Sequence, residues 1–233
     1  MYNRISIVGG SGSGKSTLCN ILSKELNLPA IHLDSLNYKP NWVELDKNER
    51  DKIISAKSSE EKWIIDGNYN NTIKERFNKA DLIIWLDYST FSQLKGVFKR
   101  IITTFNKERP EIPGCKERLN FTFIKYVATY NRKKRPLLLE NLKDISPDKI
   151  LIFKNQKALN KWLIDFTHNK NILNITDYKQ LKKMLKHTDY STATSLLISK
   201  WRYITHWSYM DYQQEKDLPF FKAVIERIFE LSE

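Results

Sequence analysis

The sequence predicts a doubly wound α/β fold: a five-stranded parallel sheet with helices on both faces, followed by a helical extension. Three observations carry that expectation. Short apolar runs rich in β-branched residues recur at residues 4–8, 30–33, 63–65, 82–86 and 149–153. Several are continuous rather than alternating, as strands covered on both faces of a parallel sheet are. Stretches of helical period lie between them, and strands alternating with helices through short connections give a doubly wound sheet.

The elements follow in order. Residues 4–8 form the first strand, which the glycines from Gly9 to Gly14 break. From residue 16 to 26, Leu18, Ile21, Leu22 and Leu26 fall at helical spacing, and Pro29 stops the helix. A second strand over 30–33 runs to Asp34. A polar helix over 46–57 leads to the third strand, which ends at Asp66-Gly67-Asn68. A short helix over 72–77 precedes the fourth strand, which ends at Asp87; the fifth strand is followed by a helix from 156 to 166. Residues 177–186, 193–210 and 217–231 read as helices, the last opened by Asp217 and Pro219. The expected organisation is one domain over 1–168, with an arginine-rich helical lid over about 95–140, and an α-helical extension over 169–233.

The chain has 233 residues, a formal net charge of +12 and 41% hydrophobic residues, enough to bury a core. No apolar run approaches the roughly 20 residues of a membrane-spanning helix. The N-terminus enters the first strand without the apolar core of a signal peptide, so a cytoplasmic location is expected, with no membrane partner. Cys19 and Cys115 alone build neither a disulfide framework nor a cysteine-based zinc site. The positive charge is localised: residues 95–135 hold twelve basic and three acidic residues, whereas residues 169–233 hold ten and eight.

Gly9-Gly10-Ser11-Gly12-Ser13-Gly14-Lys15-Ser16, with Thr17 after it, matches G-x-x-x-x-G-K-[ST] between a strand and a helix. Glycines let backbone N–H groups turn around an anion, and the helix N-terminus directs its partial positive charge to the same place. Lys15 is expected to reach the β- and γ-phosphates of ATP, and the Ser16 hydroxyl to ligate Mg²⁺. Mg²⁺ takes oxygen ligands, so an acid at a neighbouring strand end is expected. Asp34, Asp66 and Asp87 are the candidates, each of which could equally cap a turn or helix.

Together with this loop, His32-Leu33-Asp34-Ser35-Leu36, Lys39-Pro40-Asn41-Trp42, Trp63-Ile64-Ile65-Asp66-Gly67-Asn68-Tyr69 and Gly114-Cys115-Lys116-Glu117-Arg118-Leu119 give the first 168 residues a further likeness. They resemble the adenylate-kinase-like P-loop proteins, and within these the DNA topology modulation group. The resemblance implies an ATP- and Mg²⁺-dependent phosphotransferase acting on a small-molecule acceptor. It implies Asp66 as the acid beside the metal, Asp34 as the acid facing the acceptor, and Asn68, Tyr69 and Arg76 at the border of the acceptor pocket. It puts Asn155, with Lys154 and Gln156, near the nucleotide base, and leaves Asp87 structural.

In such proteins lid arginines stabilise the transferring phosphoryl group and the lid excludes water. Arg100, Arg109, Arg118, Arg132 and Arg135 are candidates here, Arg100 and Arg118 the best placed by motif. The alternative for such a run is a solvated basic face. Cys19 reads as core, Cys115 as an ordinary lid residue, and His32 as a partnered strand histidine. Trp201, Tyr203, Trp207 and Tyr209 read as packing or as a protein interface, so a homodimer or protein partner through the C-terminal helices is an expectation. A nucleotide-binding ATPase or regulator acting with DNA or a protein partner is the alternative function.

Overall fold

In this computed structural model the described residues are 2–173 and, beyond them, 182–183, 185–186, 188–196, 223–224, 226–228 and 230–231. The elements are, in chain order, β1 (Arg4–Gly9), α1 (Lys15–Leu26), β2 (Ala30–His32), α2 (Leu33–Asn37), β3 (Tyr38–Lys39), β4 (Val43–Glu44), α3 (Lys47–Ser58), β5 (Trp63–Asp66) and α4 (Asn70–Lys79). After these come β6 (Leu82–Leu86), α5 (Thr90–Thr104), β7 (Glu108–Arg109), β8 (Ile112–Lys116), α6 (Phe121–Lys133), α7 (Arg135–Leu142), β9 (Ile150–Phe153) and α8 (Gln156–Leu173).

Five strands form one parallel sheet in the order β2-β5-β1-β6-β9. The chain leaves β1 in one direction, to β5 and β2, and returns on its other side with β6 and β9. Ligand crevices in such sheets open at the carboxyl ends of strands flanking that reversal. The register aligns those ends: Ile7 faces Asp66, and Gly9 faces Leu86.

The apolar runs account for the sheet. Every residue of β5 and β6 is buried. Val8, Trp63, Ile65, Ile83 and Trp85 pack with Ile73 and Phe77 of α4 and Leu138 of α7 in one cluster. Burying each such side chain contributes about 1.5–3 kcal/mol, which fixes the strand ends that carry the site.

The structure corrects two expectations about local form. The second strand stops at His32, because Leu33 turns its fully buried side chain into the core as the first residue of α2, so Asp34 sits on a helix rather than at a strand end. The lid region is not wholly helical: β7 and β8 form an antiparallel hairpin between α5 and α6. A second small hairpin, β3–β4, follows α2, with Asn41 and Trp42 at positive φ in its turn.

The chain divides into two compact units, one of residues 2–159 and the other, apart from Met1, of residues 160–233. Within the second, Leu185, Ala193, Leu196, Ala223 and Val224 are buried, Arg227 Nε donates to the Thr188 carbonyl at 3.1 Å, and Asp189 caps a helix through Thr192 N at 2.7 Å. That helix is under way at Tyr190, three residues before the expected start. Most of the helices expected over 177–186, 193–210 and 217–231 lies outside the described residues, as do Trp201, Tyr203, Trp207 and Tyr209. Among the described residues, no helix is long and apolar enough to cross a membrane.

Candidate active site

Residues 9–16 leave β1 and turn into α1 at the centre of the sheet. Gly14 is the N-cap of α1, at φ 89°, and no side chain caps the helix. The first N–H groups of α1 are therefore open to an anion, with no acidic residue in the first turn to compete. A Cβ on Gly14 would meet nothing closer than the Gln156 side chain at 3.9 Å, so the demand for glycine here is conformational. Gly14→Ala is accordingly expected to destabilise the protein by about 1–2 kcal/mol, read as a fall in melting temperature with the secondary structure retained. A different constraint acts on Gly96 of α5, where a Cβ would lie 2.0 Å from the Gly12 carbonyl oxygen. Only glycine lets α5 back the loop so closely.

The loop is also tied from the β5 side. Asn68 accepts from Gly9 N at 3.1 Å and donates to the Gly9 carbonyl at 3.0 Å and to the Tyr130 hydroxyl at 3.1 Å. Inside the loop, Lys15 Nζ donates to the Gly10 carbonyl at 3.0 Å, as does Ser13 Oγ at 2.8 Å. Burial lowers the Lys15 pKa, opposed by the charges of Asp66 and Asp34 and reinforced by those of Arg100 and Arg109.

Ser16 Oγ donates to Asp66 Oδ2 at 2.7 Å, so the first helix and the end of β5 meet at one pair of oxygens. The other Asp66 oxygen pairs with His32 Nδ1 at 2.6 Å, and His32 Nε2 lies 3.1 Å from Asn20 Oδ1. That bond to Asp66 raises the His32 pKa. Cys19 Sγ, Asp66 and His32 form one cluster of potential ligand atoms among the described residues. The thiol does not suit a soft metal: burial holds its pKa far up, and it donates to the Ile64 carbonyl. Ser16 and Asp66 instead offer hard oxygens, the donor set that Mg²⁺ takes while keeping waters and phosphate oxygens in its other positions.

Across from the loop, Asp34 Oδ1 accepts from the Tyr69 hydroxyl at 2.9 Å. The Asp34 charge helps raise the pKa of Tyr38, Tyr69 and Tyr126, burial being the larger cause in each, so all three phenols stay protonated near it. The Tyr69 ring is covered by Arg50 at 5.0 Å, and Arg50 is itself held by Asp51 at 2.6 Å and Asn37 at 3.3 Å.

The basic residues divide sharply. Arg100 and Arg109 converge on Glu117, at 2.8 and 3.9 Å. Arg135 makes a two-pronged pair with Asp87, 2.8 Å on each arm, and Lys154 joins the same carboxylate. This cluster joins α7 and the end of β9 to the end of β6, away from any lid role. Arg118, Arg132, Lys133 and Lys134 are exposed. Arg76 is fully buried and donates to the Gly67 and Asn68 carbonyls, so it braces the turn after β5 instead of lining an acceptor pocket. Asn155 is exposed, and its side chain accepts from Ala158 N at 2.9 Å, in the first turn of α8.

Sequence reasoning ranked Arg118 above Arg109 and did not single out Glu117, Gln93 or Asn131. Gln93 Nε2 donates to the Tyr88 carbonyl at 2.8 Å and to Asn131 Oδ1 at 2.9 Å, placing a polar brace where a Cβ on Gly10 would strike it. The one signal for Glu117 was that it is one of only three acids inside a strongly basic window.

Sheet order and loop together define a P-loop α/β protein. No family model matches the chain. It is 26% identical over 205 residues to an adenylate kinase of Wigglesworthia glossinidia brevipalpis, covering 79% of this chain and 89% of that protein. Among solved structures it is similar to a shikimate kinase from Bacteroides thetaiotaomicron, with TM-score 0.46 and 17% identity over 72% of this chain and 94% of that one. It is also similar to a gluconokinase from Sinorhizobium meliloti 1021, with TM-score 0.42 and 16% identity over 68% and 86% of the two chains.

Proposed function

We propose that the chain is a cytoplasmic, ATP- and Mg²⁺-dependent phosphotransferase that transfers the γ-phosphate of ATP to a small-molecule acceptor. The observation that carries this reading is the meeting of Ser16 and Asp66 at 2.7 Å, next in sequence to Lys15, at the uncapped N-terminus of α1. The named adenylate kinase relative points the same way.

The roles follow from chemistry. Backbone N–H groups of residues 10–16 and the α1 terminus hold the β- and γ-phosphates. Lys15 would exchange its bond to the Gly10 carbonyl for phosphate oxygens, an anionic acceptor in place of a neutral one. Mg²⁺, held by Ser16 and Asp66, supplies neutralisation of phosphate charge when bound. Asp34 has one oxygen occupied by Tyr69 and the other available to take a proton from an acceptor hydroxyl. Arg100 and Arg109 stabilise the charge that develops on the transferring group.

An acceptor screen with γ-labelled ATP tests this, covering nucleoside monophosphates, nucleosides and small alcohols. Label is expected on a small molecule, and Asp34→Asn should lower kcat about a hundredfold with ATP affinity unchanged. Release of free phosphate with no labelled acceptor would instead favour the ATPase alternative. A second reading, contact with DNA, draws on the exposed run Arg132-Lys133-Lys134. It requires binding that weakens steeply as salt rises.

A further inference from the structure

Arg100 belongs to α5 and Arg109 to β7, yet both guanidinium groups meet the same oxygen. Arg100 Nε lies 2.8 Å from Glu117 Oε2, and Arg109 Nε lies 3.9 Å from it. The Glu117 side chain is 5% exposed. Its backbone is fixed on both sides, with Glu117 N donating to the Lys107 carbonyl and its own carbonyl accepting from Asn106 N, each at 2.9 Å. The carboxylate is therefore an anchored point on which two long side chains gather.

Each guanidinium also lies over a ring. Arg100 lies over Phe123 at 5.8 Å and Arg109 over Trp42 at 5.6 Å. Trp42 is itself pinned to the β7–β8 hairpin. Its backbone N–H donates to Cys115 Sγ at 3.3 Å and its indole N–H to the Lys116 carbonyl at 2.9 Å, while the Cys115 thiol donates to the Lys39 carbonyl at 3.3 Å. Cys115 thus acts as a clasp between two hairpins.

One carboxylate facing two guanidiniums leaves the pair with a net positive charge. Two like charges so close repel: burial lowers the Arg100 pKa and Arg109 lowers it further, while Glu117 raises it. Without the carboxylate, the favourable course for both long side chains is to part and hydrate. Arg100 stands one turn beyond Gly96, the α5 residue packed against the Gly12 carbonyl of the phosphate loop, and the pair's charge is felt at Lys15.

We propose that Glu117 is a positioning residue that gathers Arg100 and Arg109 into one preorganised anion site facing the phosphate loop. This rests on the phosphotransferase reading above. Groups held in place before charge develops act on the transition state without reorganising at that moment. Losing Glu117 therefore weakens the hold on the transferring group, and leaves the hold of residues 9–16 on the nucleotide in place.

Calorimetric titration of the full chain with MgATP, with MgADP, and with MgADP plus aluminium fluoride separates these effects. The fluoride complex imitates the phosphoryl group in transit. In wild type, fluoride should tighten ADP binding; in E117Q that gain should fall about ten- to a hundredfold, with MgATP affinity changed little. E117D, which keeps the charge, should recover most of the gain. An equal gain in E117Q and wild type overturns the proposal, as does a uniform loss for ATP and the fluoride complex, the pattern of plain structural damage. Should E117Q fail to fold, Arg109→Gln reads the same gain, and an undiminished value there overturns the proposal equally. A wild type that binds MgATP through Lys15 but gains nothing from fluoride overturns it while leaving the nucleotide site standing. A wild type that binds no ATP removes the phosphotransferase reading itself.

Discussion

Lys15→Ala is expected to lower phosphoryl transfer by about a thousandfold or more and to weaken ATP binding by about ten- to a hundredfold. The two magnitudes differ for a physical reason. In the ground state Lys15 contributes one charge-assisted bond to phosphate, and losing such a bond costs about 1.5–3 kcal/mol. During transfer, negative charge grows on the γ-oxygens beside the same ammonium, and losing one preorganised donor there costs about 10²–10³ in kcat. The surroundings make the second loss larger. Burial already disfavours the Lys15 charge, so little water is at hand to replace it. Asp34 and Asp66, which favour its charge in the protein, would face the incoming phosphate with one cation fewer. Equilibrium titration with a non-hydrolysable ATP analogue and single-turnover transfer assays measure the two effects separately. ATP binding unaffected by the substitution would remove residues 9–16 as the nucleotide site.

How much of this was legible in the sequence depends on what each residue's role rests on. Local covalent pattern was readable: the apolar runs give β1, β5, β6 and β9 within a residue or two, the first three because strands buried on both faces admit little else, while β9 is a partly exposed edge strand. The phosphate loop was readable for the same kind of reason, since the spacing of its glycines and Lys15 is a local backbone requirement. Partner choice among charges was not. Arg100, Arg109, Arg118, Arg132 and Arg135 look alike in a string. What separates them is which carboxylate lies within reach after folding: Glu117 for the first two, Asp87 for Arg135, and solvent for Arg118 and Arg132. Leu33 marks the other limit. Its apolar side chain fits a strand or a helix, and only the buried space beneath α2 decides for the helix, carrying Asp34 out of its expected position.

Arg76→Ala should destabilise the protein by about 3 kcal/mol and weaken ATP binding as well. Arg76 is 0% exposed, with its two terminal nitrogens on the Gly67 and Asn68 carbonyls. Burial lowers its pKa to about 9, so it stays charged at neutral pH, helped by the charges of Asp66 and Glu75. Three terms compete. Removing a buried charge relieves a desolvation penalty of several kcal/mol. Against that stand two bonds from a charged donor, about 1.5–3 kcal/mol each, and a cavity where the stem packed, about 2–5 kcal/mol for truncations of this size. The losses exceed the gain, and a fall of roughly 6–12 °C in melting temperature follows. Arg76→Met separates the terms, since it refills the stem without restoring the carbonyl bonds, and should fall between alanine and wild type in urea unfolding. A methionine variant as stable as wild type would mean that the carbonyl bonds only offset the cost of the buried charge. The functional consequence runs through Asn68: Arg76 holds its carbonyl, and its side chain holds both the N–H and the carbonyl of Gly9. A buried arginine on α4 thereby sets the position of the first glycine of the phosphate loop, and in the alanine variant ATP affinity should fall together with stability.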